Sequence, residues 1–164
     1  MGSESDVKDG GRIVRGRAGE EAAQLLLERR GYRIVDTNVR MGARRDGLPG
    51  EIDIVAWDGS TLCFIEVKTR RSGGPLIEGM TPSESVTPGK QRQIARLALA
   101  YAARHGLLED EANIPLRFDI VAVQLATRPD KNIDAPDAEV SLFVRRADLV
   151  KGAFLAPEGF ADEA

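Results

Sequence analysis

Residues 50–70, GEIDIVAWDGSTLCFIEVKTR, constrain this chain more than any other stretch. They read as two short strands joined by a tight turn, because Asp58-Gly59 supplies the φ > 0 residues of a two-residue hairpin loop between runs rich in Ile, Val and Phe. That turn pairs Trp57 with Ser60. Counting back sets Asp53 opposite Phe64 and diagonal to Glu66, with Lys68 two residues further along the same face. Two carboxylates and an ammonium then converge, and diagonal neighbours roughly 7–8 Å apart can reach one shared ion. The opposite face carries Ile52, Ile54, Ala56, Cys63, Ile65 and Val67, an apolar surface that requires a cover. Glu51 shares the face of Asp53 and lies opposite Glu66 in this register, either as an outer ligand or as an exposed strand end.

The flanking sequence supplies the cover. Ala18, Ala22, Leu25 and Leu26 have helical spacing within residues 16–30, and Gly31 stops that helix. Residues 32–40 alternate as a strand and lead through a basic loop, 41–49, into the hairpin. A long loop rich in Gly and Pro, 71–87, follows it. Thr87 and Pro88 then form an N-cap and first helical position, and Ile94, Leu97, Ala98 and Tyr101 make the buried stripe of a second helix ending at Gly106. The run 116–125, LRFDIVAVQL, is a strand covered on both faces, in which the carboxylate of Asp119 needs a partner such as Arg117. A polar loop at 127–138, a last strand at 139–145 and a short helix or turn at 147–154 complete the order. This sequence of elements predicts an α/β fold, a mixed central sheet with helices on its faces, in a single domain over 15–154. Residues 1–14 are expected to be a disordered leader and 155–164 a tail.

Composition narrows the chemistry. Of 164 residues one is Cys and one is His, so neither a disulfide framework nor a Cys/His zinc site is available. The longest apolar run, 97–103, is too short to span a bilayer, and a reducing, cytoplasmic setting is expected. His105 ends a helix, where a cation suits the dipole. The net charge of −3 is segregated: residues 8–45 hold ten Lys/Arg against five Asp/Glu, and residues 66–104 hold seven against three. Basic segments thus flank the carboxylate hairpin, as a polyanion site requires, although solvated helix faces would read the same way.

Asp53, followed in the next strand by Glu66-Val67-Lys68, resembles the motif of the PD-(D/E)xK nuclease superfamily. The fuller string, Gly50-Glu51-Ile52-Asp53 with Phe64-Ile65-Glu66-Val67-Lys68-Thr69-Arg70, is similar to the YraN-like family, which is related to archaeal Holliday-junction resolvases. The likeness extends to Gly19-Glu20 opening a helix, Asn38, Arg40, Lys90, Arg117-Phe118-Asp119 and Ala153-Phe154, covering roughly residues 16–154. It implies a restriction-endonuclease-like core and a place for Glu20 in the active site, where helix-dipole stabilisation would otherwise explain that residue.

On this basis the expected function is a metal-dependent endonuclease that hydrolyses phosphodiester bonds of structured or branched nucleic acid, DNA in the first instance. Asp53 and Glu66 are the expected ligands of Mg²⁺ or Mn²⁺, with Glu20 completing the shell. Lys68 orients water or stabilises developing charge, and Lys90, Arg40 and Arg70 contact nucleic acid. Junction resolvases cut two strands, so a homodimer is expected by analogy. Two alternatives stay open: a nucleic-acid-binding module that does not cut, and a hydrolase of small phosphate compounds.

Overall fold

The computed structural model describes residues 4–41, 48–71, 86–108, 114–127 and 142–156, with side chains of the first helix described from residue 16 onward. The loops expected at 41–49, 71–87 and 127–138 fall largely outside these residues, as does the tail from 157.

In chain order the elements are α1 (Glu4–Arg29), β1 (Arg33–Val39), β2 (Ile52–Asp58), β3 (Thr61–Arg71), α2 (Pro88–Arg104), β4 (Leu116–Thr127) and β5 (Leu142–Phe154). The strands form one sheet in the order β1-β2-β3-β4-β5. β1, β2 and β3 are an antiparallel meander, α2 carries the chain across to β4 parallel to β3, and β5 returns antiparallel to β4. This is the mixed sheet with helices that the sequence implies, an α/β fold consistent with a restriction-endonuclease-like core.

Each face of the sheet has its own apolar layer. On one side Ala23 and Leu27 of α1 pack with Tyr32, Ile54, Ala56, Cys63, Ile65, Val121, Val123 and Leu125. On the other, Ile94, Leu97, Ala98 and Tyr101 of α2 pack with Val55, Leu62, Phe64, Phe118 and Ile120. Phe64 meets the edge of the Tyr101 ring at 5.9 Å. The α2 stripe is the one expected, and Thr87 caps it, its Oγ1 accepting the Lys90 N–H at 3.3 Å. No helix among the described residues is long and apolar enough to cross a membrane.

Four expectations need correction. α1 begins at Glu4, so residues 4–14 are helical backbone where a disordered leader was expected; a helix nucleated downstream extends at the cost of propagation alone. Its buried line is also rotated: Leu25 is 55 % exposed while Ala23 and Leu27 are fully buried. The hairpin loop is Gly59-Ser60, with Asp58 paired to Thr61 and Trp57 to Leu62. Gly59 takes φ +61, and the register moves by one residue on each strand. Ile52 leaves the face it was expected to share with Ile54 and Ala56, which α1 covers, and joins the α2 layer. Finally, β5 is one 13-residue strand, so 147–154 is neither helix nor turn. Register irregularities at Phe118/Ile120 and Gln124/Leu125 in its pairing with β4 disturb the alternation that would mark it in sequence.

Candidate active site

The ladder between β2 and β3 runs from Asp58↔Thr61 to Ile54↔Ile65, while β3 continues beside β4 as far as Arg71↔Leu125. The sheet therefore forks beyond Ile54. At the fork a side chain replaces a ladder bond: the Val67 N–H donates to Asp53 Oδ2 at 2.7 Å. In the corrected register, continuing the ladder one step sets Asp53 directly across from Glu66, where the sequence reading had them diagonal. The two acids are closer partners than expected.

Glu66 is 6 % exposed. Its Oε1 accepts from Lys68 Nζ at 2.9 Å, as side chains two apart on one strand face allow. Lys90 Nζ, from the first turn of α2, stands 3.4 Å from Oε2, inside ion-pair range but without hydrogen-bond geometry. Among the described residues Oε2 is consequently a buried acceptor with no hydrogen-bond partner. The Asp53 carboxyl is pushed up from 3.8 to about 7, first by removal from water and then by the Glu66 charge; the Val67 N–H and Lys90 oppose this, and Glu20 adds to it.

Glu20 reaches the same cleft from α1. Its Oε2 accepts from Asn38 Nδ2 at 3.3 Å, and Asn38 is held at φ +52, a backbone region that Asn tolerates better than most residues. Gly19, one residue earlier, lies against β3 so closely that a Cβ built there would fall inside the Thr69 side chain. Glu20, Glu51, Asp53, Glu66, Arg70 and Lys90 are among the residues lining a cleft of about 560 Å³. Glu51 is not opposite Glu66 but lies outside the ladder, and Arg40 neutralises it through Nε at 2.9 Å and Nη2 at 2.8 Å. Lys90, expected as a phosphate contact, stands beside the acid pair in the absence of any ligand.

Sequence reasoning missed the backbone bond of Asp53, the Gly19–Thr69 contact and the approach of Lys90 to Glu66. Only Gly19 left a signal, a glycine inside a helical pattern.

Among the described residues no three of His, Cys, Asp or Glu are grouped closely enough to hold a metal ion as they stand. The donor set still suits a hard cation. Mg²⁺ takes one or two carboxylates and completes its octahedron with water and phosphate oxygens, and an unsatisfied Glu66 Oε2 beside Asp53 offers that much.

The profile of a family described as uncharacterised protein family UPF0102 matches residues 19–123. A UPF0102 protein of Geobacter sulfurreducens is 45 % identical over 117 residues, 71 % of this chain and 80 % of that protein. One of Symbiobacterium thermophilum is 47 % identical over 109 residues, 66 % and 80 % of the two chains. One of Chlorobaculum parvum is 45 % identical over 118 residues, 72 % and 81 %. The matched span includes Glu20, Asp53, Glu66, Lys68 and Lys90.

Proposed function

The chain belongs to the uncharacterised protein family UPF0102, and we propose that it is a metal-dependent endonuclease of the PD-(D/E)xK kind, hydrolysing phosphodiester bonds of structured nucleic acid, DNA in the first instance. The observation that carries this reading is Glu66 Oε2. That buried oxygen has Lys90 at ion-pair distance but no hydrogen-bond partner among the described residues, and a cation held by Glu66 and Asp53 would supply the missing contact.

Asp53 and Glu66 would hold Mg²⁺ or Mn²⁺ directly, and Glu20, tied to Asn38, through water. When bound, the ion supplies charge neutralisation at the phosphoryl oxygens and a more acidic water. The Val67 N–H orients the Asp53 carboxylate by holding Oδ2. Lys68 cannot bind a cation; its ammonium, fixed by Glu66 Oε1, orients the attacking water and faces the negative charge that develops on phosphorus oxygens. A cation held there would compete with the Lys90 ammonium for Glu66, since two positive groups cannot share one carboxylate oxygen without repulsion, and a Lys90 displaced from Glu66 would be available to a phosphate.

Single-turnover cleavage of duplex, single-stranded, flap and four-way substrates in Mg²⁺ and Mn²⁺, with calorimetric metal titration on the same variants, tests this. Asp53→Ala and Glu66→Ala should lose both cleavage and metal affinity. Lys68→Ala should keep metal affinity and slow cleavage by roughly 10²–10³. A wild type that binds nucleic acid but cuts nothing across the panel makes the chain a binding module.

A further inference from the structure

We propose that the hollow between β1 and the end of α2 holds one unpaired nucleotide of a strand whose neighbouring phosphates enter the acid cleft. The inference rests on the nucleic-acid part of the reading above and not on cleavage. The hollow has a volume of about 340 Å³. Among the residues that line it are Asp36 and Asn38 of β1, Arg40 just beyond that strand, and Tyr101, Arg104 and His105 at the end of α2.

Hollow and cleft are joined by two side-chain contacts. Arg40 lines the hollow and holds Glu51, which lines the cleft, through Nε at 2.9 Å and Nη2 at 2.8 Å. Asn38 of the hollow donates to Glu20 of the cleft at 3.3 Å. A guanidinium thus stands between the two recesses. Its side chain is 77 % exposed, and Glu51 engages only Nε and Nη2, which leaves Nη1 to a phosphate oxygen. Arg104 adds a second exposed cation, without a counter-ion among the described residues.

The other end of the hollow suits a base. The His105 ring is exposed and lies 4.3 Å from the Tyr101 ring at an interplanar angle of 32°. Tyr101 is buried, and its hydroxyl donates to Asp36 Oδ2 at 2.9 Å, so the platform is held from behind. Unstacked bases pack on rings of this kind whatever their identity. Asp36 Oδ1, which Tyr101 does not use, can accept from the N–H group that every base carries on its pairing edge. A base seated here gives up both its stacking face and its pairing edge, so a base inside a continuous duplex cannot fill the hollow. The substrate class is therefore nucleic acid with an unpaired segment beside the cleft, such as a flap.

Fluorescence anisotropy in EDTA, so that nothing is cut, tests this with a labelled duplex, the same duplex bearing a single-stranded flap, and adenosine monophosphate as competitor. Wild type should bind the flap substrate about tenfold more tightly than the duplex. His105→Ala should remove that advantage and leave duplex binding unchanged, whereas His105→Phe, which restores a ring, should keep it. Arg104→Ala should weaken flap binding, and Arg29→Ala, exposed at the end of α1, should not. Equal affinity of wild type for flap and duplex, equal losses on both substrates in His105→Ala, or a His105→Phe as weak as His105→Ala each overturns the assignment. Adenosine monophosphate that displaces the flap at the flap's own concentration overturns it too, by giving the hollow to a free nucleotide. If the variants behave as expected while wild type cuts nothing in Mg²⁺ or Mn²⁺, the hollow stands and the nuclease reading falls. If wild type cuts and His105→Ala keeps the full flap advantage, the nuclease reading stands and the hollow falls. If wild type binds no nucleic acid, both fall.

Discussion

Two ends of the same sheet bury acidic side chains among cations, and they do it in opposite ways. At the turn end of the hairpin, Asp119 is fully buried and both of its oxygens are satisfied. Oδ1 accepts from Arg117 Nε and the Gly152 N–H, each at 2.8 Å, and Oδ2 accepts from Arg117 Nη2 at 2.9 Å and Tyr32 Oη at 3.1 Å. Arg117 also reaches Asp58 at 2.7 Å, where Lys151 joins it at the same distance, and these two cations hold the Asp58 carboxyl below its usual range. Burial and the Asp119 charge together push the Tyr32 hydroxyl upward, so it stays a donor. At the forked end, Glu66 keeps an oxygen with no hydrogen-bond partner among the described residues, and Asp53 resists ionisation. Complete satisfaction marks a clamp that holds strands together; an unfinished shell marks a place that takes something in.

The largest expected effect sharpens this contrast. Arg117→Ala strands the Asp119 carboxylate with its main counter-ion gone and should cost roughly 3–5 kcal/mol of unfolding free energy, measured by urea titration. Lys68→Ala, beside a carboxylate that has other uses, should cost under about 1 kcal/mol in the same assay. Comparable losses at both ends would break the distinction.

A smaller effect depends on pH. Between about pH 4 and about 7 the folded chain retains a proton on Asp53 that the unfolded chain has released, so this group lowers stability as pH rises through that window. Asp53→Asn keeps an acceptor for the Val67 N–H and removes the charge. It should stabilise the metal-free protein at pH 8 by roughly 1–3 kcal/mol, with the gain vanishing below about pH 4. Thermal melts in EDTA at the two pH values check the sign, and a gain that is the same at both would contradict it.

The smallest effect concerns Lys90. Lys90→Gln removes the ammonium beside Glu66 Oε2 and should raise Mg²⁺ affinity about tenfold by calorimetry. Unchanged affinity would mean that the lysine does not compete for that oxygen.

The acid pair, Lys68 and the second helix were legible because local patterns report them: strand alternation, a β-rich hairpin, an N-cap followed by proline. What was not legible depends on distant partners. Asp58-Gly59 is a sound turn signal, but Asp58 is engaged by Arg117 and Lys151 from β4 and β5, so it stays in the strand and the loop slides to Gly59-Ser60. Leu25 and Leu27 are equally apolar; Leu27 turns inward, on the helix face it shares with Ala23 and with Gly19, which lies against Thr69. β5 lost its signal to the register irregularities that let it follow β4. The metal, nucleic acid and dimer remain proposals, because no local pattern in this chain specifies a partner.

The contact between Gly19 and Thr69 also governs how the acid cleft can be lost. Thr69 belongs to the strand that carries Glu66 and Lys68, and Gly19 adjoins Glu20, so bare backbone fixes the spacing between the two halves of the acid set. A single methyl at position 19 is a wedge driven between helix and sheet. Where the helix rather than the Thr69 side chain yields, every carboxylate stays in place along the chain while the two halves of the set move apart in space, so that position 19 governs the site although it carries no charge, binds no ligand and performs no chemistry of its own.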